Sequence, residues 1–206
     1  MCFNAPVSLI TFIIGILGSI RLYLLGQKPE GIFFAWVCLM QLIEFFLWRN
    51  QTCNDVNKKF TYAGMIINHL EPVVLWIAIL YYNKKLPDWV NISMVLYLIL
   101  MFLYTKKLLK NRKGFECTEV TEESTPHLHW KWNYGDSHKI FYAFFLICLI
   151  ILPFYGIDKG FITTAIVITS FTISYIVYDK YKSVGAMWCF LAAFCPWIIP
   201  FLKDLF

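Results

Sequence analysis

The residues of this sequence best placed to do chemistry are two carboxylates and a histidine set in long apolar stretches: Glu44, His69 and Glu71. An ionisable side chain is expensive at the centre of a bilayer. One that persists there usually faces the bundle interior or a water-filled path. Glu44 shares a helix face with Val37, Gln41 and Trp48, at spacings i, i+4, i+7 and i+11. Gln41 can donate to the Glu44 carboxylate, and Trp48 caps the stripe. Glu71 shares a face with Gly64, Asn68 and Leu75. Pro72 has no backbone N–H, so the Asn68 carbonyl loses its helical partner one turn from Glu71. Oxygen-rich spots at broken helices are where transporters coordinate cations.

Acids with no basic side chain at the same depth point to a proton or metal-cation site, or to one carboxyl kept neutral. His69 lies about 100° around the helix from Asn68. It serves equally well as an interhelical hydrogen-bonder or as a participant in such a site.

A second constellation is His127-x-His129. On a strand, residues i and i+2 share a face, so both imidazoles could hold one zinc or another divalent metal. His138, Cys117 or Glu119 would complete the ligand set. The competing reading is structural, because histidine pairs beside tryptophans also occur at membrane surfaces. No nucleophile elbow, P-loop, zinc-protease helix or dinucleotide fingerprint is present. The seventh apolar segment carries no lysine for a retinal Schiff base.

The elements that must position these groups follow from composition. The chain has 206 residues, 59% hydrophobic and only 15% charged. A soluble domain is about 25% charged. The deficit excludes a disordered, collagen-like or nucleic-acid-binding chain and points to an all-α integral membrane protein. Seven stretches approach the roughly 20 apolar residues that span a bilayer. They are 6–25, 31–48, 62–82, 89–104, 138–154, 161–178 and 184–202 of one seven-helix domain. The first lacks a basic leader and a small-residue cleavage site, so it reads as a retained helix.

An odd number of spans puts the termini on opposite sides. Of 18 basic residues, twelve fall on the N-terminal side and six on the other. The positive-inside rule then predicts a cytoplasmic N-terminus, with the C-terminus opposite. Cys53 and Cys117 would share that cytoplasmic side with Cys2, so the cysteines do not read as a disulfide framework.

The first and last three spans look weakly alike. Gly26 leads into a helix ending at Trp48, Gly156 into one ending at Tyr178, and Pro72 and Pro196 interrupt the third span of each half. This suggests a 3+1+3 parallel repeat with its site between the halves. Chance likeness between apolar helices is the competing explanation. The 106–137 linker opens with a basic run, Lys106–Lys113, suited to anionic lipids. It closes with a segment alternating His127, His129, Lys131 against Leu128, Trp130, Trp132. The alternation predicts a β-hairpin lying on the membrane, with its aromatic face in the headgroup region.

The opening Met1-Cys2-Phe3-Asn4-Ala5-Pro6-Val7-Ser8 and the later Gln41-Leu-Ile-Glu44-Phe-Phe-Leu-Trp48 together resemble a family. It comprises small uncharacterised multi-helix membrane proteins, mostly bacterial, that begin Met-Cys-Phe-Ser and carry Gln-x-x-Glu-Gly-x-x-Trp in the second span. The likeness covers the first quarter of the chain and departs at Asn4 and Phe45. It singles out Cys2, Ser8, Gln41, Glu44 and Trp48 and implies no activity. The layout is also similar to SWEET-type sugar carriers and PnuC-type vitamin carriers, at the level of fold alone.

Three functions fit these features. The first is a transporter or channel for a small solute or cation, proton-coupled through Glu44 and Glu71 with Gln41, Asn68, His69 and Trp48 around them. The second is an intramembrane metal-dependent enzyme using His69 and the acids, or His127 and His129. The third is a non-catalytic, lipid-organising membrane partner.

Overall fold

The computed structural model describes residues 4–82, 85–110, 117–120, 127–130, 132, 138–179 and 183–206. Its helices are α1 (Ala5–Leu24), α2 (Lys28–Arg49), α3 (Asp55–Tyr81), α4 (Asp88–Lys110), α5 (His138–Gly156), α6 (Gly160–Tyr178), α7 (Val184–Ala192) and α8 (Cys195–Leu205). Between α4 and α5, β1 (Glu119–Val120) pairs antiparallel with β2 (Leu128–His129). Six helices, α1 to α6, are long and apolar enough to cross a membrane, and the bent α7–α8 pair passes the same test jointly.

Local sequence sets the helix ends. Asn4 Oδ1 accepts the Val7 N–H at 3.0 Å, with Pro6 in the first turn, where a missing N–H costs nothing. At the other end of α1, Gly26 adopts φ +84°. Its N–H reaches Tyr23 O, and the Gln27 N–H reaches Leu22 O, closing a Schellman motif that reverses the chain into α2. The α1–α2 contact is close because it is lined by small residues. A Cβ at Gly31 would stand 2.8 Å from Ser19 O and 2.9 Å from Tyr23 N, and one at Gly15 would collide with Cys38 Sγ. Small residues are what let membrane helices approach this closely. Asn54 Oδ1 caps α3 through the Asn57 N–H at 2.9 Å.

The two interior prolines act differently. Pro72 lies within one continuous helix, α3. Pro196 sits in the first turn of α8, just past a break at 193–194 where α7 and α8 meet at 56°. The seventh apolar stretch is therefore two helices, not the single one the sequence suggests.

Contacts define two ends of the bundle. The strap end holds the start of α1, the α2–α3 turn, the described linker segments and the start of α7. The opposite end holds the α1–α2 turn and the end of α8. Ala186 and Cys189 of α7 pack with Leu47, Trp130 and Trp132, while Lys203 of α8 meets Glu30 at the start of α2. The α7–α8 pair thus runs the length of the bundle.

The linker departs most from expectation. Leu128, Trp130 and Trp132 do not face a headgroup layer. They are buried among Met40, Ile43, Leu47 and Met65, with Trp132 1% exposed. The strand is only two residues long and His127 is buried as well; the apolar positions are covered by protein, because insertion between α2, α3 and α7 removes more apolar surface from contact with water than a surface position does. The rings of Trp130 and Trp132 stack at 5.2 Å, and the Tyr104 hydroxyl donates to Trp132 O at 2.7 Å. Asn57 and Thr61 of α3 hold Thr118 through several bonds, and Gln51 Oε1 accepts the Val120 N–H at 2.9 Å. Cys53 and Cys117, expected to be separate thiols, are joined in a disulfide. The basic run starts as helix: Lys106, Lys107 and Lys110 form the exposed end of α4. The Arg112 and Lys113 end of that run lies outside the described residues.

Candidate polar site in the bundle interior

Glu44 and Glu71 are both buried, at 0% and 2% exposure. Gln41 Nε2 donates to Glu44 Oε2 at 3.1 Å, as the one-face spacing requires. Asn68 Nδ2 donates to Glu71 Oε1 at 3.2 Å.

The two acids nevertheless occupy different layers. Gly64, two turns before Glu71, lies against Met40 and Ile43 of α2, whereas Glu71 shares a cavity with Phe33, Phe34 and Val37. At 1.5 Å per residue, Glu44 is about 10 Å nearer the strap end along α2 than Val37. They therefore form two stations along the bundle axis.

Glu71 is the centre of the larger network. The Tyr142 hydroxyl of α5 donates to Asn68 Oδ1 at 3.3 Å and lies 3.3 Å from His69 Nε2. His69 Nδ1 lies 3.1 Å from Thr105 Oγ1 of α4. The directions are mutually consistent if Nε2 carries the proton: Thr105 donates to His69, His69 to Tyr142, Tyr142 to Asn68, and Asn68 to the carboxylate. Tyr97 adds a 2.6 Å bond to His69 O. His69 is thus tied into the Glu71 network through Tyr142, although it points to another face of α3. The sequence reading missed Tyr142 and Thr105, because tyrosines and threonines are common in these spans and only tertiary packing selects two of them.

Glu71 lines a small cavity of about 10 Å³, the room of a single water. Its other walls come from Val37 of α2, Val167 and Ser170 of α6, Trp188 of α7, and Cys195 of α8. Trp188 Nε1 donates to Ser170 Oγ at 3.0 Å, fixing one wall. Helices from both halves of the chain meet here.

A further polar cluster appears at the opposite end. Because α2 begins at Lys28, Glu30 falls inside the helix, 1% exposed. Lys203 Nζ lies 3.0 Å from both its carboxylate oxygens, and Thr163 Oγ1 donates to Oε1 at 2.5 Å. Lys159 Nζ donates to Lys203 O at 2.7 Å. A buried basic partner, which the sequence reading did not expect, is therefore present one step outside the apolar stretch it counted.

The remaining candidates separate. Ser8 is fully buried near the start of α1. The Gly15–Cys38 contact fixes the α1–α2 register. Trp48 is half-buried against the cluster containing Trp130. Cys2 lies outside the described residues. His127 is buried, with its ring edge-on to Tyr178, and burial lowers its pKa below the ordinary imidazole value. His129 pairs with Glu119 across the β-ladder. Among the described residues, no three His, Cys, Asp or Glu side chains converge as a metal-binding group. No protein-family model, curated protein or solved structure matches the chain.

Proposed function

We propose that this protein is a membrane transporter or channel for a small solute or cation, with Glu71 at its central station. The observation that carries the reading is Glu71 lining a cavity walled by helices from both halves of the chain. Intramembrane carboxylates with such surroundings are characteristic of ion and proton paths. In this reading the α7–α8 pair is a seventh crossing, broken near the midplane as transporter helices often are. The arrangement is occluded. The Trp130–Trp132 strap fills one end and the Glu30–Lys203–Thr163 cluster fills the other. Glu44, held by Gln41, is a second station between the strap and Glu71. Anionic lipid headgroups are the expected partners of the exposed lysines ending α4.

The test is reconstitution into proteoliposomes, challenged in turn with monovalent cations, divalent cations and small neutral solutes at stepped pH. Flux and internal pH are followed together. Wild-type protein should respond to at least one class, and Glu71→Gln should abolish its pH dependence while keeping the fold. A silent wild type, or unchanged pH-dependent flux in Glu71→Gln, rejects the proposal.

A further inference from the structure

The Cys53–Cys117 disulfide bears on which way the bundle faces. The two residues are 64 apart in sequence, with Cα atoms 5.6 Å apart. Their approach does not depend on sulfur alone. The Asn57 side chain donates to Thr118 O at 2.8 Å and accepts the Thr118 N–H at 3.0 Å. Thr61 Oγ1 also lies 3.0 Å from Thr118 N, and Gln51 holds Val120. Position 117 is therefore docked beside the α2–α3 turn by bonds that flank the disulfide on both strands of contact. The other described cysteines, Cys38, Cys148, Cys189 and Cys195, are buried within helices and form no disulfide. The one pair joined among the described residues lies outside the apolar helices.

Disulfides of this structural kind form and persist in oxidising compartments, while the cytosol keeps thiols reduced. We infer that the strap end of the bundle, with the start of α1, faces an oxidising compartment, and that the end carrying Glu30 and Lys203 faces the cytoplasm. The bond forms when the two thiols give up two protons and two electrons. A disulfide-bearing oxidoreductase of that compartment accepts the electrons and becomes a dithiol.

This orientation reverses the one given by the charge count. Among the described residues, Arg49, Lys58, Lys59, Lys106, Lys107, Lys110 and Lys139 lie at the strap end, and Arg21, Lys28, Lys85, Lys159 and Lys203 lie opposite. That is seven against five among the described residues, within the twelve against six of the full sequence. The positive-inside bias is a statistical sum over loops, whereas a reducing compartment would remove the covalent bond outright. The inference is independent of transport and stands or falls separately from it.

Two measurements on the full chain decide it. Intact cells are quenched in acid and all free thiols are blocked with N-ethylmaleimide under denaturing conditions. The protein is then reduced and treated with a maleimide-polyethylene glycol. Two adducts per chain are expected in the wild type, and none in either Cys53→Ser or Cys117→Ser. In parallel, compartment-sensitive reporters fused to each terminus should place the N-terminus outside the cytoplasm and the C-terminus inside. Absence of adducts in the wild type, or a cytoplasmic N-terminal reporter, overturns the inference. Neither readout needs the serine variants to fold.

Discussion

Lys203 Nζ stands 3.0 Å from each carboxylate oxygen of Glu30, so the last helix is tied to the second through a buried ion pair. Removing one partner of such a pair leaves an uncompensated buried charge, which costs about 3–5 kcal/mol. Lys203→Met should therefore lower the thermal unfolding midpoint in detergent sharply. The double variant Glu30→Leu/Lys203→Met should recover most of the loss, because an apolar replacement of both partners is often neutral. A double variant as unstable as the single one would show that Glu30 matters through Thr163 instead.

Tyr142→Phe removes the donor to Asn68 Oδ1 and the hydroxyl beside His69 Nε2. Leaving buried polar atoms unsatisfied costs about 1–3 kcal/mol. The amide of Asn68 would then be free to turn its oxygen toward Glu71. Stability should fall by that amount, and any pH-dependent flux should shift its midpoint. Thr105→Val, one bond further out, should have the smaller effect on flux.

The strap is held by one covalent bond and several polar ones. A disulfide closing a loop of this length stabilises by about 2–4 kcal/mol. Reduction, or Cys53→Ser, should expose the strap to limited proteolysis while α1 to α3 stay protected. Trp132→Ala should do the same with the disulfide intact, since its ring lies against Gly64, where an added Cβ would meet it at 3.4 Å.

The pH dependence of the strap follows from His127. Burial holds its pKa below the unfolded value, so the unfolded strap binds a proton more readily than the folded one. Its stability is full above the unfolded imidazole pKa of about 6.5 and declines as pH falls below that. Amide hydrogen exchange at 127–130, corrected for intrinsic rates, should accelerate between pH 7 and pH 5. His127→Phe, which keeps a ring against Tyr178, should flatten that response.

Much of this fold was legible in the residue pattern. Low charge and long apolar runs dictate membrane-spanning helices, because backbone polar groups in hydrocarbon must be satisfied within the segment. The one-face spacing of Gln41 with Glu44, and of Asn68 with Glu71, dictates the two short hydrogen bonds, since neighbours three apart on a helix meet whatever the tertiary context. Tertiary structure alone decided the rest. It separated Glu44 from Glu71 into two layers, because the α2–α3 register places Gly64 against Met40 and Ile43, a contact that no local pattern announces. It chose Tyr142 and Thr105 from many similar residues, turned the aromatic face of the strap inward, and brought Cys53 to Cys117 and Lys203 to Glu30. Each of these joins positions far apart in the chain, where local pattern carries no information about who will be whose neighbour.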